Sequence, residues 1–405
     1  MTMRNALIVA LAGTALGLAG GCTGHGQYTA EHLSAAQAKM SQLKSGTNWQ
    51  MAHQQYLAGD LDKALKNVDQ SIALNPEVAR SHTLRGRILL EKGELEAARA
   101  ALVEAGRLDP RSPEPPYYLG IIHERYAQHE EARACYARAM ELDPTSAQPL
   151  IAAADMLVES GKIDEAEALL RAHTGRFQYN AAVRQTLGNI ATMRGEHAEA
   201  CELFTQARLL APDDDTVTED LARAQIAAGR LADAEQNIAG LMERSKAPRR
   251  DLEHLRARCL AHLDRPVQAR EIYLRLTTDD HGASDVAAWI GLGNAAATIS
   301  DDARLRAAAT RLVSIAPDRY EGFFLRALWR HRQGDLAEAL SAAETAVSLA
   351  GDKDPGPMVL RGLILQDLGR LEEAQQSFRS AAEMDPGSAL TRLGIAVAGV
   401  STDGQ

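Results

Sequence analysis

The chain has 405 residues, 45% of them apolar and only 4% aromatic, with a formal net charge of −10 and both signs interspersed along it. That length holds two or three globular domains or one long repeat array. Its 31 glycines and 14 prolines are too few for a disordered or collagenous chain. With both signs interspersed, the composition argues against nucleic acid as a main partner, because phosphate binding depends on clustered Lys and Arg. An acidic, mixed surface mostly serves solubility, so the partner expected is protein.

Arg4 is the only charge before an uncharged run from Ala6 to Ala19. As a helix that run spans about 21 Å, short of the roughly 30 Å hydrocarbon core of a membrane. It therefore reads as the core of a signal segment over 1–21 and not as a lasting span. It ends in Leu18-Ala19-Gly20-Gly21-Cys22, which resembles the bacterial lipobox. The resemblance implies cleavage before Cys22 and lipidation of its sulfur. Thr23 stands where an inner-membrane retention signal would put Asp, so the resemblance further implies the outer membrane, with the chain facing the periplasm. Residues 22–44 then read as a lipidated tether, with one helical stretch near Ala30 to Leu43. Three cysteines remain, Cys135, Cys201 and Cys259. Their odd number and wide spacing fit small buried apolar residues and not a disulfide framework.

From residue 45 a single period dominates. Pro76 and Pro110 are 34 residues apart, as are Pro110 and Pro144, and Pro212 lies 68 after Pro144. Each follows a similar phrase, such as Ala-Leu-Asn-Pro or Arg-Leu-Asp-Pro, and the last clear copy ends at Pro386. The unit resolves into two amphipathic helices. Gly93, Gly161, Gly195, Gly229, Gly334 and Gly369 mark the turn between them. Five residues on, Ala98, Ala166, Ala200, Ala234, Ala339 and Ala374 let the second helix lie close to the first. Gly86, Gly120, Gly188, Gly293 and Gly362 share one position of the first helix, where Ala52, Ala222, Ala257 and Ala327 substitute. These leave holes for Leu102, Tyr136, Leu170, Phe204, Tyr273 and Phe378 of the second helix. The proline closes the unit.

This order of small, turn, small, large, small and proline resembles the tetratricopeptide repeat family. The resemblance implies an all-α, right-handed superhelical solenoid of about ten helix-turn-helix units over 45–388, with a capping helix and tail in 389–405. Units begin near 45, 79, 113, 147, 181, 215, 250, 286, 320 and 355. It also implies a binding groove lined by the first helices. Mapped residue by residue, the N-terminal units offer Trp49, His53, Tyr56, Thr83, Arg87, Tyr117, Ile121 and Arg125 to a partner. The middle units offer Gln185, Asn189, Arg223, His254 and Arg258, and the last two offer Phe324, Leu328, His331, Val359 and Leu363. Some family members grip a terminal carboxylate through three consecutive units. Here only Asn189 and Arg258 keep that pattern, and Arg223 joins Arg258 as a second arginine in one groove. Arg244, Lys246, Arg249, Arg250 and Arg256 form a basic stretch around them, which either serves a partner or pairs with the array's own glutamates.

No enzyme, cofactor or metal is expected. There is no CxxC, HExxH, P-loop, dinucleotide fingerprint or GxSxG, and His123-Glu124 and His129-Glu130 lack a helical second ligand. The function expected is a membrane-anchored interaction scaffold of the bacterial cell envelope, helping to assemble a pilus, secretion or polysaccharide-export machine. The alternative is an adaptor that docks and regulates an envelope protease or peptidoglycan hydrolase.

Overall fold

A computed structural model describes residues 27–385. The signal segment 1–21, Cys22 and the capping helix of 389–405 lie outside the described residues. Those described form twenty α-helices and one short 3-10 turn, with no strand. Up to Val183 they make one compact group and from Arg184 another. The first group pairs α1 (Gln27–Leu57) with α2 (Leu61–Leu74) and α3 (Ala79–Glu91) with α4 (Leu95–Leu108). It then pairs α5 (Glu114–Arg125) with α6 (His129–Leu142) and α7 (Gln148–Glu159) with α8 (Ile163–His173). Helix α9 (Ala181–Met193) contains the division, and α10 (His197–Leu210) follows it. The second group continues with α11 (Asp215–Ala227) on α12 (Leu231–Arg244), and α13 (Arg250–His262) on α14 (Pro266–Thr278). It ends with α15 (Val286–Thr298) on α16 (Asp302–Ile315), α17 (Tyr320–Arg332) on α18 (Leu336–Ala350), and α19 (Gly356–Asp367) on α20 (Leu371–Met384). The fold is thus the all-helical array of ten helix-turn-helix units that the period implies.

The tether is where structure and sequence reading part. From Gln27 one helix runs unbroken into the first unit. Residues 27–45 contain no glycine or proline and several alanines, so nothing in the chain stops a helix there.

Where a proline closes the unit, the exit is the one it requires. The residue before it turns extended, with φ of −151° at Asn75, −134° at Asp109, −130° at Asp143 and −135° at Ala211. Its N–H still reaches back to the last helical carbonyls, as from Asp109 to Ala105 at 2.9 Å. Proline clashes with a helical predecessor, and this forces the exit.

The packing contact within a unit is equally local. A Cβ on Gly188 would stand 2.7 Å from Phe204 Cε1, and one on Gly86 2.5 Å from Leu102 Cγ. Tyr136, Phe204 and Phe378 are among the largest fully buried side chains, and the alanines that flank them, such as Ala132, Ala139, Ala200 and Ala207, are sealed completely. Cys201 and Cys259 are buried as expected, Cys135 is half-buried, and all three are free thiols.

The central turn needs a left-handed residue. Gly93, Gly161, Gly195, Gly229, Gly334 and Gly369 adopt φ between 75° and 79°. Three units lack the glycine and force Ala127 (φ 55°), Asp264 (57°) and Ser300 (58°) into the same region. For a residue with a Cβ that conformation costs roughly 1–2 kcal/mol. Replacing Ala127 by Gly should therefore stabilise the protein by about 1 kcal/mol, after the extra entropy that glycine loses on folding. Urea denaturation of the A127G variant checks this; a lower midpoint would show that the alanine side chain holds the turn.

Candidate partner-binding grooves

In every unit the buried small residue of the first helix is followed by a residue that the helix rotates about 100° away from the second helix. These successors define the candidate face.

In the first group the face is aromatic and cationic. The Trp49 ring stacks on His53, with centroids 5.3 Å apart and planes 11° off parallel. Arg80 lies 4.6 Å above Trp49, whose Nε1–H donates to the Arg80 carbonyl at 3.2 Å. Arg87 sits between Tyr56 and Tyr118, at 5.0 and 5.1 Å from their ring centres. Its Nε is buried without a hydrogen-bond partner, and it makes no ion pair among the described residues. The Tyr56 hydroxyl donates to Glu91, and burial together with that bond pushes its phenol up. Tyr117 meets Tyr118 edge-on at 5.3 Å and Tyr136 at 5.8 Å. Trp49, Tyr56 and Tyr117 are all half-buried on first helices, with Arg87 linking Tyr56 to the Tyr118–Tyr117 pair. Thr83 is not part of this face: it is buried and donates to the Ala79 carbonyl.

The fourth unit adds a residue that the sequence mapping passed over. Asp155 stands at the position equivalent to Arg87, behind the fully buried Ala154. Asp155 is exposed to solvent, yet crowding of its carboxyl by the surrounding protein atoms, then repulsion from Glu124 and Glu159, pushes it up to about 6. Glu124 itself accepts from the Tyr136 hydroxyl at 2.7 Å.

In the second group a cavity of about 750 Å³ opens along the first helices and contains Arg223, His254 and Arg258 in its lining. The structure thus brings three of the five sequence-assigned residues together, while Gln185 lies outside the cavity and donates to Asp220 at 2.7 Å. Asn189 is exposed on α9 and does not line this cavity. Arg223 is committed to Glu219 at 2.7 Å, which also takes Arg249 at 2.8 Å. Burial would raise the Glu219 carboxyl, but these two guanidinium groups outweigh it and hold it low. His254 is committed to Asp285 at 2.8 Å. Arg258, against Tyr273, has no carboxylate within 4.0 Å among the described residues. The basic stretch around it is largely neutralised: Arg244 pairs with Asp215 at 2.8 Å, Arg256 with Glu235 at 2.8 Å, and Arg250 with Asp279 and Asp285.

The apolar set of the last two units is drawn inward. Val359 is buried, and Phe324, Leu328 and Leu363 pack against the core around Phe378. His331 meets Asp367 at 2.6 Å. Among the described residues no group of three or more His, Cys, Asp or Glu side chains is placed to hold a metal ion.

Asp155 gives a pH signature. Its carboxyl titrates higher folded than unfolded (about 3.9 in a free chain), so ionising it opposes folding. The two states hold the proton equally below about pH 4, and the stabilisation that protonation provides is lost as pH rises through about 6. Asp155→Asn should therefore raise the melting temperature at pH 7.5, with the difference from wild type closing by pH 4. A constant difference across that range would contradict the raised carboxyl.

Models of tetratricopeptide repeats match residues 50–113, 126–190, 191–250 and 357–388, together more than half of the chain. Mouse tetratricopeptide repeat protein 36 is 36% identical over 75 residues, which is 18% of this chain and 40% of that protein. The chain thus spans two-fifths of the length of this relative. Among solved structures, a tetratricopeptide repeat protein from Parabacteroides merdae aligns at 16% identity with a TM-score of 0.43, covering 62% of this chain and 99% of that one. Pseudomonas aeruginosa pilF aligns at 20% identity with a TM-score of 0.42, covering 49% and 90%. The repeat models, which together match more than half of the chain, place it in the tetratricopeptide repeat family.

Proposed function

We propose that this chain is a lipid-anchored scaffold of the bacterial cell envelope, which gathers protein partners by holding acidic or C-terminal segments on its first-helix face. Tetratricopeptide repeat proteins generally mediate protein–protein interaction. One observation carries the finer reading: Arg258 borders a cavity of about 750 Å³ and has no carboxylate within 4.0 Å among the described residues, although Asp251, Asp264 and Glu321 also line that cavity, while Arg223 and His254 beside it are already paired. An unpaired guanidinium in a partly enclosed channel binds a carboxylate through two parallel hydrogen bonds. Partners of this kind belong to the assembly of a pilus, secretion or polysaccharide-export machine.

Losing one charge-assisted hydrogen bond costs about 1.5–3 kcal/mol. Arg258→Gln should therefore weaken capture of partners from solubilised membranes by about tenfold or more, with the melting temperature unchanged. Arg223→Gln should do less, because it breaks an exposed pair within one helix worth about 0.3–0.5 kcal/mol. Full capture by the R258Q variant would overturn the assignment. Mass spectrometry of the captured proteins separates an assembly machine from a docked protease or hydrolase.

Anchoring rests on the sequence before Cys22. One acyl chain binds membranes only marginally, whereas several anchor stably, and a lipobox implies several on this sulfur. Cys22→Ser should abolish labelling by a palmitate analogue and release the protein from washed membranes or leave its signal uncleaved. Undiminished labelling would refute the lipoprotein reading.

A further inference from the structure

A second cavity, of about 730 Å³, lies on the second helices of the first group, away from the face described above. Its origin is a short helix. Helix α8 has 11 residues where α4 and α6 each have 14, and it ends at His173. The chain then turns through 174–179 and tucks Phe177 inward, where it is 8% exposed. Ala153 and Leu157 of α7, both buried, make the floor; Met140, Leu169 and Phe177 make the walls. A mostly apolar concavity of this size, with a few polar groups at its rim, is the usual form of a small-molecule site.

The rim decides the charge of the ligand. Two of its carboxylates are already satisfied, Glu130 by Lys162 at 2.7 Å and by Arg133, and Glu141 by Arg138 at 2.8 Å, while the third, Glu165, lies 4.0 Å from Arg133. Arg176 is not satisfied. Its guanidinium reaches only the Pro144 carbonyl, at 3.4 Å, and has no carboxylate within 4.0 Å among the described residues. His173 beside it spends Nδ1 on the Leu169 carbonyl at 2.9 Å. A cation entering here finds Glu130 and Glu141 taken and Glu165 facing the Arg133 guanidinium, whereas an anion finds Arg176 open.

We propose that this cavity binds a free single-chain carboxylate amphiphile, with its tail against Ala153, Leu157, Leu169 and Phe177 and its carboxylate on Arg176. Neither the family assignment nor the scaffold reading calls for such a site.

The test is calorimetric titration of the full chain, in detergent-free buffer, with octanoate, decanoate and dodecanoate below their micelle concentrations. One saturable site is expected, tightening roughly fourfold per added methylene, the factor that corresponds to about 0.8 kcal/mol each. Dodecanol, and dodecanoate with the R176Q variant, should bind at least tenfold more weakly. Ala137→Trp and Ala134→Leu fill the cavity from exposed positions on α6, where the fold is not at stake, and either should abolish binding. Absence of saturable dodecanoate binding, equal affinity for dodecanol, or undiminished binding by both filled variants would each overturn the proposal.

Discussion

Where the Phe204 ring lies over Gly188, the first and second helices of a unit approach so closely that even a methyl group would have to displace the ring. The same fit recurs between Gly86 and Leu102, Gly120 and Tyr136, and Gly362 and Phe378. Overfilling such a contact costs more than the added apolar surface returns, because an interior at crystal-like density cannot give way locally. In the seventh and eighth units the partnership crosses a boundary. The Tyr273 ring sits against Gly291 of the next unit's first helix, and Gly293 faces Leu325 of the unit after that. Neither Ala257 nor Ala309, which occupy the corresponding small and large positions, could make the internal fit by itself. The cores of these units extend into the next first helix, through Ala288 and Leu292 in one and Leu325 in the other, so stability in such arrays is shared with the neighbours.

The same contact places the candidate face. A residue sealed at one position of a helix leaves its successor about a quarter-turn away. Arg87 follows Gly86, Asp155 follows Ala154, Arg223 follows Ala222 and Arg258 follows Ala257. The packing rule fixes where these side chains stand and leaves their chemistry free to vary. One unit can then carry an aromatic-flanked arginine and another a carboxylate without any change to the fold.

This division also explains what could be read from the sequence. Packing within a unit uses residues a few positions to one repeat apart, so periodic glycine, alanine and proline reported the helix pairs, the turns and the core. Charge pairing follows a different logic. Arg244 reaches Asp215, Arg249 reaches Glu219 and Arg250 reaches Asp285, across roughly one period each. Whether an arginine is free thus depends on the rotamers of side chains on facing helices, within a unit or between neighbours, which no spacing reveals. Val359 and Thr83 mislead for a related reason: both hold face positions in register, yet the neighbouring first helix covers one and its own backbone occupies the hydroxyl of the other. The unbroken α1 and the short α8 depend on where a helix stops when no proline dictates it.

An acidic chain that pairs more than half of its described arginines with carboxylates leaves the rest open, and two of these stand at the same repeat position on the candidate face. Arg87 is the more constrained case. Two tyrosine faces stand in for a carboxylate, and a cation over an aromatic ring is held by about 0.5–2 kcal/mol, without its charge being cancelled. Its Nε stays buried and unpartnered, a cost that an incoming acceptor would relieve. Arg258 is freer, exposed at the edge of a cavity and beside Tyr273. The two occupy the same repeat position, one in each compact group. In both, the carboxylates that neutralise neighbouring arginines stand elsewhere, so that each group presents a cation next to an aromatic ring on the side of the first helix that packing leaves open.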